Sequence, residues 1–189
     1  MTDGQQRDGQ AAENGHRAAP AAILIGPPGA GKSTVGELLA DRLGVDFVDT
    51  DASIEAVAGK PVADIFVEDG EPVFRKLEHE AVAAAVAGHG GVIGLGGGAV
   101  LDTGTRALLA GQPVVYLETS FTELAKRVGM DRPRPLLIGI NPRAQLKTLL
   151  DERLPVYAGL ARITVSTDGR EPEQIAAEIA GRLGVGGAG

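Results

Sequence analysis

The sequence predicts an α/β fold of three layers, in which a mostly five-stranded parallel sheet is flanked by helices on both faces. One observation is that short apolar runs alternate with longer segments of helical period along most of the chain. Another is composition: 43% of the 189 residues are hydrophobic but only 3% are aromatic. The core must therefore be built from Ala, Val, Leu and Ile, which suits buried parallel strands covered by Ala-rich helices.

The elements follow one another in βα order. The predicted strands cover residues 22–25, 46–48, 91–95, 113–117 and 163–165. The predicted helices cover residues 32–43, 73–87, 103–109, 121–128, 143–150 and 172–183. In a parallel sheet of this kind, ligands bind at the carboxyl ends of the strands.

The chain is interpreted as one domain between two tails. Residues 1–20 are polar and rich in Ala and Gly, without helical or strand period, and predict a disordered tail. Residues 184–189 predict a flexible Gly-rich end. The folded domain is therefore expected over residues 21–183.

One segment inside the domain differs from its surroundings. Residues 129–142 carry two arginines and three prolines that are hostile to a regular helix or a central strand. These are Arg132, Pro133, Arg134, Pro135 and Pro142. We expect this segment to form a mobile lid loop.

Composition excludes several classes of function. The absence of Cys removes disulfides, thiolate zinc sites and cysteine nucleophiles, and agrees with a reducing cytosol. The net charge of −7 argues against a nucleic-acid partner. No apolar run approaches the roughly 20 residues that span a bilayer, and the N-terminus lacks the apolar region of a signal peptide. A cytoplasmic protein is expected, and the lack of an obvious dimerisation segment favours a monomer.

Residues 26–33 match the phosphate-binding pattern G-x-x-x-x-G-K-[ST], placed between an apolar strand and a helix as the pattern requires. Its glycines let successive backbone N–H groups point at phosphate oxygens, and the following helix adds its positive end. Lys32 would reach the β- and γ-phosphates of ATP, and the Ser33 hydroxyl would ligate Mg²⁺. The residues predicted to bind the nucleotide here are Gly29, Ala30, Gly31, Lys32, Ser33 and Thr34.

A metal-binding carboxylate is expected at the end of a neighbouring strand. The strand over 91–95 offers none, whereas the sequence ending at Asp51 places Asp49 and Asp51 two residues apart. Both carboxylates would point the same way if the strand continued. We assign Asp49 to the Mg²⁺ shell, through water, and Asp51 to the acceptor hydroxyl. The alternative is that Asp51 or Ser53 is the N-cap of a helix over 54–58.

Three further segments each give only weak evidence of function when taken alone: FRKLE at 74–78, GLGGGAV at 94–100 and ERLPVY at 152–157. Arg75 could equally be a surface residue paired with Glu78, three positions along the same helix. Gly94-x-Gly96 imitates part of a dinucleotide-binding fingerprint, but the loop after the first strand already supplies a phosphate site.

Together and in this order, these motifs resemble those of the shikimate kinase family. The resemblance covers about residues 23–183 and is carried by GPPGAGKST, DTD, FRKLE, GLGGGAV, RPLL and ERLPVY. It implies a P-loop kinase with a fold like that of nucleoside monophosphate kinases. It also implies transfer of the γ-phosphate of ATP to the 3-hydroxyl of shikimate, giving shikimate 3-phosphate and ADP in chorismate and aromatic amino-acid synthesis.

The resemblance also implies roles for single residues. Asp51 would bind the shikimate hydroxyls, Arg75 and Arg153 its carboxylate, and the backbone of the glycine triplet would complete the pocket. The triplet is Gly96, Gly97 and Gly98. Arg134 would contact the phosphates during catalysis, although Arg132 is an alternative. Arg127 and Arg170 would lie along the adenine.

Two other functions stay open at this point. One is another small-molecule kinase of the same fold, acting on gluconate or a nucleoside monophosphate. The other is an ATP-binding module without catalysis, which would have no need of Asp51, Arg75 and Arg153 as an acceptor site.

Overall fold

The computed structural model describes residues 19–127 and 142–184. The predicted lid, with Arg132 and Arg134, lies outside the described residues apart from Pro142. The predicted tails lie outside them too, except Ala19, Pro20 and Gly184. The strands are β1 (Ala22–Ile25), β2 (Phe47–Asp49), β3 (Val92–Gly94), β4 (Val114–Glu118) and β5 (Ile163–Ser166).

Eight α-helices fall within the described residues, together with a 3₁₀ turn at Ala99–Leu101. They are α1 (Lys32–Leu43), α2 (Thr50–Ala58), α3 (Val62–Glu68), α4 (Glu71–Gly88), α5 (Thr103–Leu109), α6 (Phe121–Arg127), α7 (Pro142–Leu160) and α8 (Pro172–Arg182). No described helix combines the length and the apolar character needed to cross a membrane.

The five strands form one parallel sheet in the order β2-β3-β1-β4-β5. The central strand β1 pairs with β3 on one side and β4 on the other, with Leu24 opposite Gly94 and Val115. Every residue of β1 is buried, because helices cover both faces of the sheet. The predicted fold class is therefore confirmed.

Side-chain alternation along the strands divides the core into two layers. Leu24 packs with Leu39 of α1 and Ile179 of α8 on one face. Ile23 and Ile25 belong to the other face, whose cluster includes Val82 of α4, Leu109 of α5 and Tyr157 of α7. The sheet is thus the middle layer, and its carboxyl edge stays open for ligands.

The boundaries of several elements differ from the prediction. Helix α2 was considered only as the alternative helix over residues 54–58. Helix α3 was not predicted, because it buries only Ile65 and leaves Val67 exposed, so its apolar pattern is weak. Helix α7 was predicted to end at residue 150 but continues to Leu160 through Pro155. Burial of Leu150 and Tyr157 on either side of this proline stabilises the helix against the loss of one backbone hydrogen bond.

Candidate active site

The phosphate-binding loop connects β1 to α1, the context that the motif requires. Gly29 and Gly31 have φ of +84° and +92°, a region that glycine occupies without steric cost. A Cβ at Gly26 would lie 2.8 Å from the carbonyl oxygen of Leu117, so the start of the loop packs directly on β4. The loop is consequently held in a tight turn at the carboxyl edge of the sheet.

Lys32 begins α1 and folds back over this loop. Its Nζ donates to the carbonyl oxygens of Gly26 at 2.9 Å and Pro27 at 3.1 Å. Burial of the ammonium lowers the pKa of Lys32 to about 8, although the carboxylates of Asp51 and Asp49 act in the opposite direction. The charge on Lys32 is thus poised to respond to a bound anion.

We expect nucleotide binding to take up a proton at Lys32. Phosphate charge raises the pKa of a nearby ammonium, so a lysine that is partly neutral becomes fully protonated. At pH 8.5 the uptake should be roughly 0.5–0.8 proton per ADP, since a group with a pKa of about 8 is mostly neutral there. Titration calorimetry in two buffers of different ionisation enthalpy measures it. Lys32→Arg, which stays protonated, should abolish the buffer dependence, and a buffer-independent enthalpy for the unmodified protein would contradict the assignment.

Asp49 is the last residue of β2 and uses its two carboxylate oxygens differently. Oδ2 accepts a hydrogen bond from Ser33 Oγ at 2.7 Å. Oδ1 accepts from the backbone N–H of Asp51 at 2.9 Å, which makes Asp49 the N-cap of α2. The expectation that the strand continues to Asp51 is wrong, and so is the alternative that Asp51 or Ser53 is the cap. The helix begins at Thr50 because Asp49 satisfies its first amides.

Asp51 lies in the first turn of α2 and is half-buried. Its Oδ1 is fully buried and has no hydrogen-bond partner among the described residues. Burial raises the pKa of the Asp51 carboxyl, the neighbouring Asp49 raises it further, and Lys32 opposes both. A buried acceptor without a donor costs free energy, so this oxygen is suited to receive a hydrogen bond from a ligand.

Arg75 lies on α4 between two carboxylates. Its Nη1 is 2.5 Å from Glu78 Oε2 and its Nη2 is 3.2 Å from Glu71 Oε1. The guanidinium also lies 5.3 Å from the centre of the Phe74 ring. The Glu78 side chain is only 4% exposed, and burial raises its pKa while Arg75 opposes the shift. The helical pair weighed from the sequence is therefore present, and it orients Arg75 at the site.

The glycine triplet permits close packing of these side chains. A Cβ at Gly96 would lie 2.5 Å from Asp51 Oδ1, and a Cβ at Gly98 would lie 2.5 Å from Arg75 Nη1. Any larger residue at these two glycines would displace the Asp51 carboxylate or the Arg75 guanidinium. The backbone N–H of Gly96 donates to the buried Thr50 Oγ1 at 3.1 Å, which ties the triplet to α2.

Helix α7 reaches the same triplet from the other side. Arg153 Nη1 donates to the carbonyl oxygen of Gly97 at 3.3 Å, and the hydroxyl of Tyr157 donates to the same oxygen. The structure thus brings Asp51, Arg75 and Arg153 to one stretch of backbone.

Sequence reasoning missed the roles of Thr50, Glu78 and Tyr157. Only their places in the quoted DTD, FRKLE and ERLPVY motifs could have indicated them.

A separate groove of about 280 Å³ lies behind the phosphate loop. Its lining includes Gly29, Gly31, Arg127, Arg170, Pro172 and Ile175. Arg170 is tied down by a hydrogen bond to the Ser166 carbonyl at 3.0 Å and an ion pair with Glu178 at 2.8 Å. Arg127 and Arg170 therefore flank one groove next to the loop, where the adenosine of ATP is predicted.

The fold and this site define a P-loop phosphotransferase, in which charged side chains at the glycine triplet accompany the phosphate loop. A family model described as shikimate kinase matches residues 28–183. The shikimate kinase of Thermobifida fusca (strain YX) is 62% identical over 168 residues, covering 89% of this chain and 97% of the relative. That of Saccharopolyspora erythraea is 57% identical over 164 residues, covering 87% and 94%. The chain belongs to the shikimate kinase family, and the predicted resemblance is confirmed.

Solved structures agree with this membership. The structure of the shikimate kinase from Acinetobacter baumannii in complex with shikimate is 35% identical, with a TM-score of 0.79, covering 88% of this chain and 94% of that one. A gluconokinase from Sinorhizobium meliloti 1021 is 20% identical with a TM-score of 0.52, which shows a shared fold alone. The gluconate alternative thus has support only at the level of the fold.

Proposed function

We propose that this protein transfers the γ-phosphate of ATP to the 3-hydroxyl of shikimate, giving shikimate 3-phosphate and ADP in chorismate and aromatic amino-acid synthesis. The observation that carries the proposal is the buried, unpartnered Oδ1 of Asp51 among the described residues. This carboxylate interacts electrostatically with Lys32 of the phosphate loop and with Arg75 of the acceptor side. An acceptor hydroxyl bound to Asp51 would therefore lie next to the transferring phosphate.

The chemistry of shikimate fits the acceptor side. It is a carboxylate that bears three hydroxyl groups, and guanidinium groups bind a planar carboxylate through paired, charge-assisted hydrogen bonds. Arg75 and Arg153 both meet the glycine triplet, whose lack of side chains lets the Arg75 guanidinium and the Asp51 carboxylate pack against its backbone. The two arginines would fix the carboxylate end, while Asp51 accepts a hydroxyl proton or orients that hydroxyl for attack.

The nucleotide side fits ATP with Mg²⁺. Ser33 and Asp49 present two oxygens 2.7 Å apart, the hard ligands that Mg²⁺ prefers. The described residues contain no group of three or more His, Cys, Asp or Glu side chains placed to hold a metal ion, so these two oxygens would be supplemented by phosphate and water. When bound, Mg²⁺ supplies positive charge that neutralises the phosphates. Lys32 and the loop amides would hold the β- and γ-phosphates. Arg127 and Arg170 would lie along the adenine side. Arg134 or Arg132 would also contact the phosphates.

Acceptor-dependent ADP release tests the proposal. A coupled assay with shikimate, gluconate and AMP as acceptors should give turnover with shikimate alone. Turnover with gluconate or AMP instead would establish another small-molecule kinase. ATP binding without turnover on any acceptor would favour the non-catalytic module.

The remaining expectations concern the state of the protein. We propose a cytoplasmic monomer, whose mass in solution should match the 19.3 kDa of one chain. Neither nucleic acid nor membrane is proposed as a partner, since the net charge is −7.

The two arginines proposed to bind the shikimate carboxylate give a further prediction. Replacing Arg75 or Arg153 with Lys keeps the positive charge but loses the bidentate hydrogen bonding of the planar guanidinium. We expect shikimate affinity to fall roughly tenfold to a hundredfold, the equivalent of about 1.5–3 kcal/mol for hydrogen bonds to a charged group. Calorimetric titration of shikimate measures it, with ADP affinity as the internal control. Unchanged shikimate affinity in both variants would mean that the carboxylate binds elsewhere.

A further inference from the structure

Two buried threonines lie where the last two strands end. Thr119 follows β4 and Thr167 follows β5, and both are almost completely shielded from solvent. Their hydroxyl oxygens are 2.7 Å apart. Neither residue belongs to the motifs or to the groups proposed to touch ATP or shikimate. A buried hydroxyl costs free energy unless it is hydrogen-bonded, so burial favours the hydrogen bond between these two hydroxyls.

The pair is connected to Arg127 on α6. Arg127 Nη1 donates to Thr167 Oγ1 at 3.3 Å, and Nη2 donates to the Thr167 carbonyl at 3.0 Å. The Nε of the same guanidinium donates to Glu123 Oε1 at 3.0 Å. Because the guanidinium is a rigid planar fork, these contacts fix its orientation. Since Thr167 Oγ1 accepts from Arg127, its own proton can be donated to Thr119.

Arg127 in turn contacts the back of the phosphate loop. Its Nη1 lies 3.5 Å from the Gly29 carbonyl oxygen and 3.4 Å from that of Ala30. The C=O and the N–H of a trans peptide point in opposite directions, and the described residues contain no cis peptide. The Ala30 carbonyl turned towards Arg127 therefore turns the Gly31 amide away from it. That amide is one of the donors proposed for phosphate.

We propose that Thr119 and Thr167 are positioning residues for the nucleotide. Their hydroxyls hold the Arg127 guanidinium, and Arg127 sets both the wall of the groove behind the loop and the direction of the Gly31 amide. The inference rests on the proposed use of ATP but not on the identity of the acceptor. It assigns to two residues outside every motif a share of nucleotide affinity.

Threonine-to-valine variants test this, because valine keeps the shape and removes the hydroxyl. Thr167→Val and Thr119→Val should each raise the Kd for ADP roughly threefold to tenfold, the effect of losing one hydrogen bond. The KM for shikimate should not change. Thr167→Ser and Thr119→Ser should restore ADP binding to within about twofold, since they keep the hydroxyl. Inorganic tripolyphosphate, which has no base, should lose affinity in parallel with ADP if the Gly31 amide is affected.

Thr105→Val is the matched control. Thr105 is equally buried, but its hydroxyl contacts His79, and neither residue lines the groove behind the phosphate loop. Equal loss of ADP binding in Thr105→Val would mean that general destabilisation explains the effect and would overturn the proposal. ADP binding at the unmodified level in both valine variants would overturn it as well, as would failure of the serine variants to recover. Loss for ADP but not for tripolyphosphate would overturn the link to the Gly31 amide.

These measurements separate the two proposals. ADP binding is measured without shikimate, so an unmodified protein that binds ADP but shows no shikimate-dependent turnover would contradict the proposed function alone. Valine variants that bind ADP normally in an active kinase would contradict the positioning role alone.

Discussion

Replacing Lys32 with Met should lower kcat by roughly 10²-fold or more while leaving the fold intact. The transferring phosphoryl group carries charge that the protein must neutralise in the transition state, and Lys32 is the cation that begins α1 at the phosphate loop. Its ammonium is buried and already has a lowered pKa, so a methionine of similar length removes a desolvated charge without opening a cavity. The loss of activity therefore has an electrostatic cause.

Lys76→Met is the control for this variant. The Lys76 side chain is 76% exposed on α4 and, within the part of the chain that the structure describes, forms a long ion pair with Glu80, so the kinetics of the Lys76→Met variant should match those of the unmodified protein. Circular dichroism and thermal melting should show that both variants fold. A Lys32→Met protein that keeps more than about a tenth of the original kcat would contradict the role assigned to this charge.

The parts of the site that could be predicted from the sequence are those carried by local patterns. The phosphate loop is continuous in sequence, and its strand and helix have clear periods, so the pattern alone assigns Lys32 and Ser33 to the nucleotide. Asp49 is assigned because one neighbouring strand ends in a carboxylate and the other does not. The 2.7 Å contact between Ser33 and Asp49 agrees with that assignment.

The parts that could not be predicted depend on contacts between distant segments. The hydrogen bond from Gly96 to Thr50 spans 46 residues and that from Tyr157 to Gly97 spans 60, and no local period reports either. Glu78 illustrates the same limit. Its spacing from Arg75 predicts an ordinary surface pair, whereas packing against the glycine triplet buries it.

The start of α2 shows how a small local error can leave a functional assignment standing. Continuing the strand through Asp51 was wrong, because the Asp49 side chain caps the helix at that point. Asp51 nevertheless faces Gly96, since the first turn of α2 begins directly at the carboxyl edge of the sheet. The contacts of the Asp51 carboxylate, rather than whether Asp51 belongs to a strand or a helix, decide which chemical role it can have.

Asp51→Asn should lower kcat by roughly 10²- to 10⁴-fold, the range for loss of a general base, with a smaller effect on shikimate affinity. The amide keeps the shape of the carboxylate but cannot accept a proton. Because the pKa of Asp51 is raised, the activity of the unmodified enzyme should fall as pH drops through this raised pKa, at a pH above the usual range for aspartate. The Asp51→Asn variant should lose that acid limb, which a profile of kcat/KM against pH measures.

Stability distinguishes this loss from unfolding. A carboxyl whose pKa is raised in the folded state binds its proton more tightly there than in the unfolded chain, so its ionised form disfavours folding at neutral pH. Asp51→Asn should therefore melt no lower than the unmodified protein. Asp64→Asn is the matched control, since Asp64 occupies the first turn of α3 as Asp51 does in α2 and loses the same favourable contact with a helix N-terminus. If Asp64→Asn lost as much activity as Asp51→Asn, or if the Asp51→Asn protein kept its acid limb, Asp51 would not be the group that handles the acceptor hydroxyl.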